Sequence, residues 1–102
     1  MLTEDQAVEL AEMFRLMGDA TRLSIIFACL DKPVNVGDLV ERLGASQSLV
    51  SHHLRLLRAA RILKAERRGK QVFYSAADQH ISSMLTDMAH HVGEPVSETG
   101  DV

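Results

Sequence analysis

Two histidines, His80 and His91, lie eleven positions apart near the C-terminal end of a 102-residue chain, with Asp78 shortly before the first and Glu94 shortly after the second. Imidazole and carboxylate are donors for a borderline divalent cation, so these four residues are candidate metal ligands. On a helix, eleven steps return to within about 20° of the same face but about 16 Å along the axis. With Zn–N bonds of about 2.0 Å, two histidines sharing one ion need Cα atoms within roughly 13 Å, so one ion cannot take both from one helix. Each helix therefore carries two half-sites. An antiparallel copy related by a two-fold near Thr86 brings Asp78 and His80 of one chain towards His91 and Glu94 of the other, making two identical sites. The N₂O₂ set suits tetrahedral Zn²⁺, with Co²⁺ as a good mimic, whereas Ni²⁺ asks for more ligands. Asp78 and His80 are about 200° apart round an ideal helix and converge only if Asp78 lies at the frayed first turn. Gly93 stands between His91 and Glu94, where a helix commonly unwinds. His90 points about 100° from His91 and is the substitute ligand if His91 does not serve.

The elements that must position these residues can be read in order. Thr3 with Gln6 forms a capping box for a first helix, in which Ala7, Leu10, Phe14 and Met17 recur at helical spacing up to Gly18. Asp19 caps a second, strongly apolar helix with Leu23, Ile25, Ile26, Phe27 and Leu30, ending before Pro33. Asn35 caps a short third helix closed by Gly44, and Ser46 caps a fourth from about Gln47 to Ala60. The last pair reads as a helix-turn-helix. After Arg61 the period alternates through Ile62, Lys64 and Glu66 and then Gln71 to Tyr74, flanking Arg68-Gly69-Lys70 as a hairpin with a basic tip. Helical spacing resumes from Ser75 to Val92, with Ile81, Met84, Leu85, Met88 and Val92 on one stripe, and stops at Gly93 and Pro95. The expected architecture is mainly α: a winged helix-turn-helix of four helices, two strands and a fifth helix over residues 1–94, followed by a polar tail, 95–102.

Charge is unevenly placed. Residues 55–70 hold seven of the eleven cations and one of the fourteen acids, a +6 block in a chain whose net charge is −3. A cationic segment on an acidic body presents a surface to a polyanion and orients it. In the fourth helix Val50, Leu54 and Leu57 should face the core, leaving Gln47, Ser48, Ser51, His52, Arg55 and Arg58 outward. Small polar side chains in its first turns allow close approach to base edges in a major groove. Arg55, Arg58 and the wing cations Arg67, Arg68 and Lys70 are the expected phosphate contacts. His53 lies in the same helix, turned from its outermost line.

The run Leu16-Met17-Gly18-Asp19-Ala20-Thr21-Arg22-Leu23, the stretch Ser46-Gln47-Ser48-Leu49-Val50-Ser51-His52-His53-Leu54, Gly69-Lys70-Gln71-Val72-Phe73-Tyr74 and the closing Asp-x-His…His-x-x-Glu resemble the ArsR/SmtB family of metal-sensing winged-helix repressors. The resemblance runs from the first helix to Glu94. It implies a homodimer through the first and last helices, binding of a palindromic operator by the metal-free form, and release when metal binds. Carried onto matching positions, Gln47, Ser48, Ser51 and His52 lie nearest the bases. The family's thiolate sites need Cys at the start of the third helix, where this chain has Asn35 and Val36. What remains resembles the last-helix site of the zinc-sensing branch, Asp78, His80, His91 and Glu94. His91 is expected to transmit binding if its free N–H meets a main-chain carbonyl near the end of the fourth helix.

The lone Cys29 excludes an internal disulfide and reads as core packing, and no leader or apolar run near 18 residues is present, so a soluble cytoplasmic protein without a membrane partner is expected. Two other classes share some of these features. One is a winged helix answering a redox or small-molecule signal. The other is a small zinc hydrolase, disfavoured because four protein ligands leave no position for water.

Overall fold

The structure, a computed structural model, describes residues 1–96. Its helices start where a side chain can take an unpaired backbone N–H. Thr3, Asp19, Asn35, Ser46 and Asp78 accept from Gln6, Arg22, Asp38, Leu49 and Ile81, opening α1 (Glu4–Met17), α2 (Ala20–Ala28), α3 (Val36–Leu43), α4 (Gln47–Ala59) and α5 (Gln79–Gly93). The Thr3–Gln6 capping box forms in full. Gly44, at φ 63°, ends α3 in the left-handed conformation that glycine adopts without penalty.

Two features were not legible as periodicity. The dipeptide Val34–Asn35 is a short strand, β1, paired antiparallel with the third strand at Tyr74 and Phe73. With β2 (Leu63–Arg68) and β3 (Gln71–Ala76) it makes a sheet of order β1-β3-β2, in which Leu63 opposes Ala76 and Arg68 opposes Gln71. The last helix also begins later than its expected start at Ser75. Ser75 and Ala76 instead pair with Lys64 and Leu63, and Asp78 makes the cap. The second helix ends at Ala28, leaving Leu30 beyond it. Of the expected tail 95–102, residues 97–102 lie outside the described residues.

The core is built from Ile25, Ile26 and Cys29 of the α2 segment, Leu39 of α3, Val50, Leu54 and Leu57 of α4, and Ile62 and Leu63 at the foot of the hairpin, none more than 1% exposed. Leu16, Met17, Ile81 and Leu85 extend it towards α1 and α5. The apolar stripes of these two helices divide, however: Leu10, Phe14, Met88 and Val92 remain 39–80% exposed.

The end of α4 sets the path into the hairpin. Arg61 N–H donates to Arg58 C=O (3.0 Å) and Ile62 N–H to Leu57 C=O (2.9 Å), with Arg61 at φ 60°. This is a Schellman motif with arginine in the position that favours glycine. The left-handed backbone costs an L-residue about 1–2 kcal/mol, held here by the burial of Ile62 and Leu57. Arg61 also pairs with Glu9 of α1, an exposed ion pair of small energy. Arg61→Gly is expected to raise the unfolding free energy by about 0.5–1 kcal/mol, after the entropy of glycine in the unfolded chain is counted. Arg61→Val should lower it by more than that, both read by urea denaturation.

Candidate functional site

Helix α4 has one buried and one open side. Val50, His53, Leu54 and Leu57 face inward; Gln47, Ser48, His52, Arg55 and Arg58 are exposed and Ser51 is half-buried. The expected partition therefore holds, with His53 resolved as an inner residue. Its Nδ1 is buried with no hydrogen-bond partner among the described residues, and its ring lies 5.8 Å from that of His52. Burial, reinforced by the nearby Arg22 cation, holds the His53 imidazole below its ordinary pKa, against an opposing pull from Asp19. Asp19 itself is held below the usual carboxylate range, chiefly because it accepts the Arg22 N–H.

The hairpin carries the remaining basic candidates. Gly69, at φ 64°, turns the tip between Arg68 and Gln71, and Arg67, Arg68 and Lys70 are all exposed. Arg68 lies over the Phe73 ring at 5.2 Å and 3.4 Å from Glu66, while Arg67 Nε donates to the Gly69 carbonyl at 3.1 Å. Two of the three wing cations are thereby held against the hairpin by its own residues.

The four candidate ligands fall into two pairs at opposite ends of α5. At the N-terminal end Asp78 divides its oxygens. Oδ1 accepts the Ile81 N–H at 3.1 Å and caps the helix, while Oδ2 lies 3.5 Å from His80 Nδ1. Asp78 adopts extended backbone, φ −161° and ψ −178°, so the condition for its convergence with His80 is met by a residue outside the helix. The Asp78 carboxyl is held below the usual range, first by the Ile81 N–H and then by His80. Its capping role was missed in the sequence, although aspartate before the first helical turn is its ordinary signal. At the other end His91 lies in the last turn and Glu94 just after the helix, with its N–H on the His91 carbonyl at 3.3 Å. Helical geometry separates the two pairs by about 16 Å along the axis. Among the described residues no three His, Cys, Asp or Glu side chains gather as a metal cluster.

Between α1, the foot of β2 and the start of α5 is a groove of about 710 Å³, lined by Leu10, Phe14, Ile81 and Met84 and reaching Asp78 and His80. Cys29 is fully buried, and burial pushes its thiol up to about 11, so it is inert packing as its neighbours suggested. No helix among the described residues is long and apolar enough to cross a membrane.

This arrangement, a helix-turn-helix followed by a basic hairpin and a closing helix, is the winged helix-turn-helix fold. Residues 19–65 match the model of the bacterial regulatory proteins of the arsR family. The "Transcriptional repressor SmtB homolog" of Synechocystis is 37% identical over 94 residues, spanning 92% of this chain and 71% of that protein. The chain therefore belongs to the arsR family, a family of transcriptional regulators and not of enzymes. Among solved structures, HlyU from Vibrio cholerae has a TM-score of 0.81 at 26% identity, over 90% of this chain and 100% of that one. The homodimeric winged helix-turn-helix DNA-binding domain of Mb0332 from Mycobacterium bovis has the same fold, with a TM-score of 0.81 at 16% identity over 95% of this chain and 93% of that one.

His53 makes the packing of α4 sensitive to acid. Its pKa is ordinary, 6.5, in the unfolded chain and lower in the folded one, so below pH 6.5 the unfolded state takes up the proton first. Stability should be full above that value and decline as pH falls towards the depressed folded value. Thermal unfolding between pH 7.5 and 5 is expected to show a steeper loss of Tm for the native chain than for His53→Gln.

Proposed function

We propose that this chain is a metal-responsive transcriptional repressor acting in the cytoplasm, whose metal-free homodimer binds a palindromic operator and releases it when Zn²⁺ or Co²⁺ is bound. The observation that carries the reading is the spacing of Asp78 Oδ2 and His80 Nδ1, 3.5 Å. Donors on neighbouring corners of a zinc tetrahedron, with bonds of about 2.0–2.1 Å, stand about 3.3 Å apart. One protomer thus offers a two-ligand edge at the start of α5 and a second ligand pair, His91 and Glu94, a helix length away. Two antiparallel α5 helices would combine the edge of one with the pair of the other, twice. Metal bound there supplies a crosslink between the two helices. The exposed apolar residues Leu10 and Phe14 on α1 and Met88 and Val92 on α5 support a second copy of this chain as the partner. Mb0332, of the same fold, is homodimeric.

DNA binding rests on the open side of α4 and on the wing. Gln47, Ser48, Ser51 and His52 are the proposed base-edge contacts, and Arg55, Arg58, Arg67, Arg68 and Lys70 the proposed phosphate contacts. Dimer symmetry would set the two α4 helices about one turn of DNA apart, near 34–36 Å. A redox trigger at the sole cysteine is disfavoured, because a buried thiol titrating at about 11 holds almost no thiolate at neutral pH.

His91→Ala is expected to keep metal-free operator affinity within about twofold while removing its loss on adding Zn²⁺, a loss of about 5–150-fold in the native chain. Fluorescence anisotropy with labelled operator at fixed salt checks both, and release of DNA by the variant at the native zinc concentration overturns the ligand assignment. In the same assay Arg55→Ala and Lys70→Ala should each reduce the slope of log affinity against log salt by about one.

A further inference from the structure

The foot of the wing joins the proposed metal half-site to the recognition helix through two main-chain hydrogen bonds. Ile62 N–H donates to Leu57 C=O in the last turn of α4 at 2.9 Å, and Ile62 C=O accepts the Ala77 N–H at 3.0 Å. Ala77 is bonded covalently to Asp78, whose two oxygens serve the α5 cap and the face towards His80. Because Leu63 pairs with Ala76, this contact continues the β2–β3 ladder one step beyond the strands. Asp78 and the exit from α4 therefore face each other across the open end of one hairpin.

We propose that Ala77 and Ile62 are the positioning residues that couple occupation of the Asp78–His80 edge to the placement of α4 and the wing. The inference rests on the metal reading above and adds the route by which that site reaches DNA. Three properties suit the junction to the task. Ile62 is fully buried beside Leu57 and Leu63, so it cannot move independently of either element. Arg61, at φ 60°, leaves the exit of α4 in a single tight turn with no slack. The hairpin is six residues a side, about 20 Å long, so a twist of a few degrees at its foot moves the basic tip by about 1–2 Å. Asp78 keeps the cap with Oδ1 while Oδ2 faces the site, so the edge can be engaged without unwinding α5. This route runs within one protomer, and it differs from coupling through the far ligand His91.

Amide hydrogen exchange measured by NMR on the full chain, with and without Zn²⁺, tests the route without DNA. Zinc binding is monitored on the same samples by calorimetry, and by the absorption of Co²⁺ substituted for zinc. Slowing of the Ala77 and Ile62 amides by at least about fivefold on adding Zn²⁺, the lower end of ordinary allosteric coupling, is the expected result. Zinc that binds and protects Ile81 and α5 but leaves Ala77 and Ile62 unchanged overturns the coupling route alone. Failure of the metal to bind overturns the half-site reading, and the route with it. The Ala77→Pro variant removes the connecting N–H while keeping the Asp78 and His80 side chains. Zinc affinity within about twofold of the native chain, combined with a metal-induced loss of operator affinity at least about fivefold smaller, is the split expected of a positioning role. Equal losses in the native chain and in a folded variant, with zinc affinity retained, overturn it.

Discussion

Burial of Ile62 against Leu57 at the junction of α4 and the hairpin is the contact on which the rest of the molecule depends. It holds Arg61 in a left-handed turn, sends the chain directly from recognition helix to wing, and brings the far strand back so that Ala77 meets Ile62 and Asp78 opens α5. With that junction in place, the inner side of α4 is set by Val50, Leu54 and Leu57. Its outer side, with Gln47, Ser48, His52 and Arg55, follows by exclusion.

Electrostatics reinforce this geometry. The +6 block runs from the middle of α4 through the turn and over the hairpin tip, so one continuous stretch of chain presents seven of the eleven cations. The remaining surface is acidic and repels a polyanion, which favours approach on the α4–wing side. Within the wing, Arg67 and Arg68 already contact Gly69, Phe73 and Glu66, and their pre-positioning lowers the side-chain entropy lost on meeting phosphate. The closing helix differs from the others: ligand-type residues sit in pairs at its two ends and its outer stripe is apolar, the pattern on which the proposed pairing with a second copy rests.

Most of the architecture was legible because its signals are local. Thr3, Asp19, Asn35 and Ser46 mark helix starts through hydrogen bonds spanning three residues, and Gly44 and Gly69 mark positive-φ turns. The spacing of Val50, Leu54 and Leu57 gave the inner face of α4 correctly. Apart from the Asp78 cap and the end of α2, the departures lie where partners come from afar. Ser75 opens the expected last helix, but strand pairing with Lys64 claims it, and Val34–Asn35 is too short to show a period of its own.

Residue type and short-range spacing determined by themselves which helices form, which face of α4 is polar, where positive charge concentrates, and that the ligand-type residues of α5 are too far apart along one helix for a single ion. Tertiary structure alone decided that His53 is buried, that Arg61 must turn left-handed, that the α1 and α5 stripes are only half covered, and that Asp78 lies opposite the end of α4. The physical reason is the range of the interactions. Capping and helical periodicity act within a turn or two, whereas burial and ladder pairing depend on residues that the chain must fold to bring together.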